Sequence, residues 1–193
     1  MLYKILLPIM KTFMKSIFWY KEVNKPESIE GEPLIICANH ISNWDPLLLM
    51  VSYDRIIHML GKVELFKYKL LAKFFSAVHV IPVDRQGNDI DAIRKSLQVL
   101  KNNNVIGIFP EGTRIKNKEL RSRERFNDGI ALIASKSKAD ILPITIKGRY
   151  IPFSRIEVIY HDRIEISDYD ELNRKEKYES IVDDVYNSIY KDL

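Results

Sequence analysis

Five consecutive apolar residues, Leu34-Ile35-Ile36-Cys37-Ala38, run directly into Asn39-His40-Ile41-Ser42-Asn43-Trp44-Asp45-Pro46, and this junction leaves the chain few ways to continue. The spacing of His40 and Asp45 puts their side chains about 140° apart on an ideal helix and on opposite faces of a strand. They meet only if residues 41–44 turn. Ser42 and Asn43 are turn formers, and Asp45-Pro46 reads as a helix N-cap followed by proline at the first helical position. The pattern predicts strand, bent loop and helix, with His40 at the strand end as a candidate base and Asp45 as its carboxylate partner. The same residue types also fit a plainer reading, in which Asp45 only caps the helix and His40 is a satisfied histidine at a strand end.

Beyond this junction, short apolar runs alternate with helical periodicity, which predicts an α/β fold. Strands are expected over 34–38, 56–60, 79–83, 105–109, 141–147, 155–160 and 163–166. Helices are expected over 45–53, 63–75, 89–101, 126–137 and 172–193. The helix over 89–101 has Ile90, Ile93, Leu97 and Leu100 at three- and four-residue intervals, the signature of one face lying on a sheet. A chain of 193 residues suits one domain with a substantial core. The expected architecture is a central mixed, mostly parallel sheet flanked by helices over 34–193, preceded by an N-terminal amphipathic helix and a polar linker over 1–33.

Charge is unevenly distributed. Residues 157–193 carry 5 Lys/Arg against 11 Asp/Glu, so the net charge of +4 leaves +10 on residues 1–156. A basic body attracts nucleic acid, anionic lipid or phosphorylated small molecules, and the first 21 residues favour lipid. Lys4, Lys11 and Lys15 fall in a narrow arc of a helical wheel, with Leu2, Ile5, Leu6, Ile9, Phe13, Ile17 and Trp19 around the remainder. That layout suits a helix lying in a membrane interface; the plainer alternative is an amphipathic helix packed on the domain. The lysines and Pro8 argue against a spanning segment, and no small-residue cleavage site follows. The 63–75 stretch, with Lys67, Lys69 and Lys73 among aromatics and leucines, could extend such a surface. Cys37, the single cysteine, excludes an intrachain disulfide and fits a reducing compartment. The expected location is peripheral or monotopic on the cytoplasmic face of the cell membrane.

A second motif, Phe109-Pro110-Glu111-Gly112-Thr113-Arg114, stands where a buried strand ends, and ligands bind at the carboxyl ends of strands in open α/β sheets. Gly112 permits close backbone approach, Arg114 offers a planar fork for phosphate, and Glu111 can accept hydrogen bonds from hydroxyls or hold the arginine. The plainer reading is a strand-to-loop turn with a surface ion pair. Gly107 and Gly112 mimic the glycine spacing of a P-loop, but Thr113 and Arg114 replace its lysine and hydroxyl, and bulky Ile108, Phe109 and Pro110 fill the phosphate turn. No G-x-S-x-G elbow is present. His58, His79 and His161 lie too far apart to form a metal-ligand spacing, so no metal is expected. The basic loop over 116–125 has no nucleic-acid-binding motif beside it, and no nucleic-acid partner is expected.

Taken together, these stretches resemble the glycerolipid acyltransferases, which include the lysophosphatidic acid and glycerol-3-phosphate acyltransferases. Residues 39–45 match the family's histidine-four-residues-aspartate motif and residues 109–114 its FPEGTR motif. Ile81-Pro82-Val83-Asp84-Arg85 looks like the arginine-bearing block, and Ile141-Leu142-Pro143-Ile144 like the late proline block. The resemblance covers residues 34–148. It implies that His40 acts as general base oriented by Asp45, and that Arg85, Glu111, Gly112, Thr113 and Arg114 hold the acceptor's phosphate and glycerol. It also implies transfer from acyl-CoA or acyl carrier protein, with no further cofactor, to 1-acyl-sn-glycerol 3-phosphate at an anionic membrane surface, giving phosphatidic acid. Glycerol 3-phosphate or another lysophospholipid is the alternative acceptor, and a non-catalytic lipid-binding module is the alternative class. Two positions depart from the family pattern: Ile115 replaces a frequent serine, and Asp128 stands where a lysine is common.

Overall fold

The computed structural model describes residues 2–84, 90–115, 117–191 and 193. Among the described residues seven strands form one sheet: β1 (Tyr20–Val23), β2 (Leu34–Ala38), β3 (Ile57–Lys62), β4 (Ile81–Val83), β5 (Val105–Ile108), β6 (Asp140–Gly148) and β7 (Ile156–Tyr160). Their spatial order is β1-β7-β6-β2-β5-β3-β4. All neighbours pair in parallel except β6 and β7, which are antiparallel. The protein is thus a single α/β domain built on a mixed, mostly parallel sheet. The helices are α1 (Leu2–Ile17), α2 (Asp45–Ser52), α3 (Lys69–Ala77), α4 (Ile90–Lys101), α5 (Gly129–Ser137) and α6 (Arg174–Tyr190).

Strand periodicity divides the core in two. Leu34, Ile36 and Ala38 of β2 face Met14 and Phe18 of α1 and Leu48, Leu49 and Val51 of α2. Ile35 and Cys37 face the opposite layer, which contains Leu100 of α4, Ile130 and Ala134 of α5, and Ile181 and Val185 of α6. Every residue of β2 is buried, as expected of a strand covered on both faces. Burying a large aliphatic side chain contributes roughly 1.5–3 kcal/mol, so the two helical layers hold this central strand from both sides.

The first 33 residues are more closely joined to the sheet than a helix and a linker would be. Tyr20–Val23 pairs in parallel with β7 as an edge strand. The following segment is tied down by Arg55, whose guanidinium donates to the carbonyls of Ile29 at 2.8 Å and Glu32 at 2.7 Å. Tyr3, Met14 and Phe18 of α1 are buried.

Three expected elements differ in form. The helix expected over 63–75 is a 3-10 turn, Val63–Phe66, followed by α3. Because β3 stays paired with β4 as far as Lys62, the chain leaves the strand without a loop and takes the tighter turn. The strand expected from 79 begins at Ile81, since His79 has φ 64°, outside the extended region. The strand expected over 163–166 reduces to a single bridge, Ile141 to Ile164. β7 already covers β6 over residues 144–148, so only the beginning of that edge remains open.

Gly107 sits at the centre of the sheet, paired with Ile36 and Met59. A Cβ there would lie 2.8 Å from Ile57 Cγ2 and closer still to the Met59 sulfur. Overpacking of this kind typically costs about 1–3 kcal/mol. Gly107→Ala is expected to lower the unfolding free energy by about 2 kcal/mol, read from the urea midpoint at unchanged m-value.

Candidate active site

His40 follows the last residue of β2, and its main chain is held from both sides by one neighbouring segment. Its N–H donates to Glu111 Oε2 at 2.9 Å, and its carbonyl accepts from the Ile115 N–H at 2.7 Å. The FPEGTR turn therefore brackets the histidine. The imidazole stacks on Phe109 of the same turn, with ring centroids 4.2 Å apart and planes inclined by 17°.

The bend expected between His40 and Asp45 is present, with the Asp45 N–H donating to the Ser42 carbonyl at 3.2 Å. Asp45 Oδ2 lies 2.7 Å from His40 Nδ1 and accepts the N–H groups of Ile41 and Ser42, each at 2.6 Å. Capping is the expectation corrected here. Asp45 is the first residue of α2, Trp44 occupies the cap position, and no side-chain cap bond forms. The carboxylate turns back onto the loop because the two N–H groups of the bend and the imidazole converge on one oxygen. Asp45 is fully buried, a setting in which a carboxylate needs such donors. A carboxylate only accepts, so Nδ1 carries the proton and Nε2 presents its lone pair.

Two further contacts fix this loop. Asn39 bridges β2 to β6, its side chain donating to the Ile146 carbonyl at 2.9 Å and accepting the Ile146 N–H at 2.7 Å. The Tyr150 hydroxyl, beyond β6, and Asp45 Oδ1 are both buried without a completed hydrogen bond. Burial first, then the Asp45 carboxylate, push the Tyr150 pKa up.

Glu111 is 8 % exposed and turns inward. Besides the His40 N–H, its carboxylate accepts the Tyr190 hydroxyl from the end of α6. Burial raises its pKa to about 7, against the lowering effects of the His40 N–H and of Arg121 and Arg125. Gly112 adopts φ +63° in a turn closed by its N–H to the Phe109 carbonyl at 3.0 Å, a conformation glycine takes without the Cβ penalty. Gly112 and Thr113 line a cavity of about 600 Å³, together with Val83, Asp84, Phe109 and Asn127. Arg114 is exposed and makes no ion pair with any described residue. Arg85 lies outside the described residues.

Sequence reading missed several participants. Lys62 is an exposed cation at the carboxyl end of β3, paired with Val83 at the rim of this cavity; its place at a strand terminus was the available signal. Asn39 was visible only as part of the motif, and nothing local points to Tyr190. Among the described residues no group of three or more His, Cys, Asp or Glu is placed to hold a metal ion.

This fold, with its histidine-aspartate pair bracketed by the FPEGTR turn, defines an acyltransferase, and the chain belongs to the acyltransferase family, whose model matches residues 21–147. A curated relative is the 1-acyl-sn-glycerol-3-phosphate acyltransferase of Bacillus subtilis, 25% identical over 185 residues that cover 91% of this chain and 89% of that protein. The enzyme of the same name from Streptococcus pneumoniae is 27% identical, over 75% of this chain and 54% of its own length. The fold is shared with the crystal structure of PlsC, the LPA acyltransferase of Thermotoga maritima, at a TM-score of 0.64 and 21% identity, covering 95% of this chain and 78% of that one.

A raised carboxyl pKa means that the folded protein keeps a proton which the unfolded chain has released. Stability contributed by the protonated Glu111 is therefore lost as pH rises from about 4.5 to about 7. The loss is at most roughly 3 kcal/mol. Glu111→Gln is expected to flatten the pH dependence of unfolding free energy across this window, as measured by denaturant titration at successive pH values.

Proposed function

We propose that this protein is a membrane-associated 1-acyl-sn-glycerol-3-phosphate acyltransferase, moving a fatty acyl group from acyl-CoA or acyl carrier protein to the free hydroxyl of the lysolipid and giving phosphatidic acid. The observation carrying this reading is the buried 2.7 Å contact between His40 Nδ1 and Asp45 Oδ2 beside the FPEGTR turn. The names of the curated relatives support the choice of acceptor.

An alcohol is too weak an acid to attack a thioester unaided, so a base must take its proton in the transition state. His40 Nε2 fills that role. As the substrate oxygen bonds to the carbonyl carbon, its proton passes to Nε2. The carbon–sulfur bond then breaks with its electron pair on sulfur, and the imidazolium returns the proton to the thiolate. Asp45 holds the imidazole in the productive tautomer and stabilises the transient cation, while the Ile41 and Ser42 N–H groups hold the carboxylate in place. Glu111 acts through its grip on the His40 main chain. Arg114 and Lys62, with Arg85 as the resemblance implies, supply cations for the acceptor phosphate, and Thr113 supplies a hydroxyl at the cavity beside the FPEGTR turn. The scheme needs no metal or resident cofactor. His40→Ala is expected to lower kcat/KM by about 10³ in an assay with lysophosphatidate and either donor. Near wild-type turnover would remove His40 as the base. Vesicle binding by wild type without ester formation from either donor would leave a lipid-binding module.

The membrane contact rests on an exposed apolar surface. Ile5 is 54% exposed and Ile9 59%, on the outer side of α1. Phe13 lies 6.0 Å from Trp44 between ring centroids, and Trp19 lies 6.3 Å from Phe153. Trp44 immediately precedes Asp45, so a bilayer meeting this surface would present its lipids beside the catalytic loop. No helix among the described residues is long and apolar enough to cross a membrane. Because α1 also buries Tyr3, Met14 and Phe18, deleting it would open the core, and point substitutions give the cleaner test. Ile5→Glu with Ile9→Glu is expected to weaken co-sedimentation with anionic vesicles at least about tenfold without changing the unfolding midpoint. Unchanged partitioning would place membrane contact elsewhere.

A further inference from the structure

Two cavities flank the end of β2. The one bearing the FPEGTR residues lies on the β5 side. The other, of about 910 Å³, lies at the end of β6, on the opposite side of β2, where Ile41 and Ser42 share its wall with Arg121, Lys147, Arg149 and Tyr150. We propose that this second cavity receives the phosphorylated pantetheine arm of the acyl thioester donor, with Lys147 and Arg149 as its anion contacts. The proposal rests on the acyl-transfer reading and extends it to a site for the second substrate.

Transfer requires acceptor hydroxyl, thioester carbonyl and Nε2 to converge within about 3–3.5 Å. Two bulky substrates approach one imidazole most readily from its two sides, because the sheet occupies the space below. With the phosphate-binding motif of the acceptor on the β5 side, the β6 side is left for the donor. Its chemistry fits. Arg121, Lys147 and Arg149 line this cavity, with Glu119 as the acidic side chain among the described residues of the lining, beside Leu193, and the Lys147 and Arg149 side chains are exposed and make no ion pair with any described residue. Arg121 lies over the Tyr190 ring at 5.6 Å and acts electrostatically on Glu111, which leaves Lys147 and Arg149 as the two cations for a ligand. Tyr150 forms the wall on the other side, packed edge-on against Phe18 with centroids 5.4 Å apart. A phosphodiester or phosphomonoester is the partner that unpaired lysine and arginine at a cavity rim recognise, and every pantetheine-borne thioester carries one. Coenzyme A adds phosphates of its own; a carrier protein adds an acidic surface.

The test uses the wild-type protein and the double variant Lys147→Glu/Arg149→Glu, with steady-state kinetics on both substrates and a titration of CoA alone by calorimetry. The expected result is a rise of at least about tenfold in KM for acyl-CoA, with KM for lysophosphatidate within about twofold of wild type, and a parallel weakening of CoA binding. Acyl carrier protein as donor distinguishes the sources. If both donors lose affinity, the shared phosphopantetheine is the contact; if only the carrier protein does, its acidic surface occupies the rim and the arm lies elsewhere, which overturns the proposal. An unchanged donor KM, or a raised lysophosphatidate KM instead, also overturns it. Lys147→Gln/Arg149→Gln should give an intermediate donor KM, separating charge loss from misfolding. Wild type without turnover would end the acyl-transfer reading, whereas the CoA titration would still decide the cavity.

Discussion

A fully buried carboxylate is the constraint around which this site is built. Asp45 lies behind α2 and receives hydrogen bonds from the imidazole and from two consecutive N–H groups of the bend. Those bonds do two things at once. They offset the desolvation of the charge, and they close residues 41–44 into the only local shape that lets a strand-end histidine meet a residue five positions later. Helix start, loop bend and imidazole orientation therefore have one cause.

The second motif depends on the first through the main chain. Glu111 and Ile115 take the N–H and carbonyl of His40, and Phe109 supports the ring from one face. A segment that reads as a phosphate site is thus also the support of the histidine. Its glutamate, suited by residue type to a substrate hydroxyl, instead spends its oxygens on the His40 amide and the Tyr190 hydroxyl. The C-terminal helix is joined to the active site by that last contact, with Arg121 and Arg125 limiting how far burial raises the Glu111 pKa.

Sheet order converts these local arrangements into an enzyme-like layout. β2 lies between β5 and β6, and a cavity stands on the β5 side and another on the β6 side. The layer containing α1 and α2 closes one face and carries the exposed Ile5, Ile9 and Phe13 toward Trp44. An apolar surface and a histidine whose Nε2 makes no hydrogen bond with any described residue are brought together by the same two helices.

Much of this was legible in the residues themselves. The limits of β2, the strand-loop-helix order and the pairing of His40 with Asp45 followed from apolar runs and from a spacing that only a bend can satisfy, because these are local properties of backbone geometry. The helix over 63–75 and the strand over 163–166 were misread for the complementary reason: what ended them was β3 pairing as far as Lys62 and β7 occupying the edge of β6. Asn39 reaching Ile146 across 107 positions and Tyr190 reaching Glu111 across 79 carry no periodic signal. Sequence alone determined which chemical groups stand at the end of β2; tertiary structure decided which way they face, since an oxygen such as those of Glu111 takes whichever donor the packed fold brings within reach.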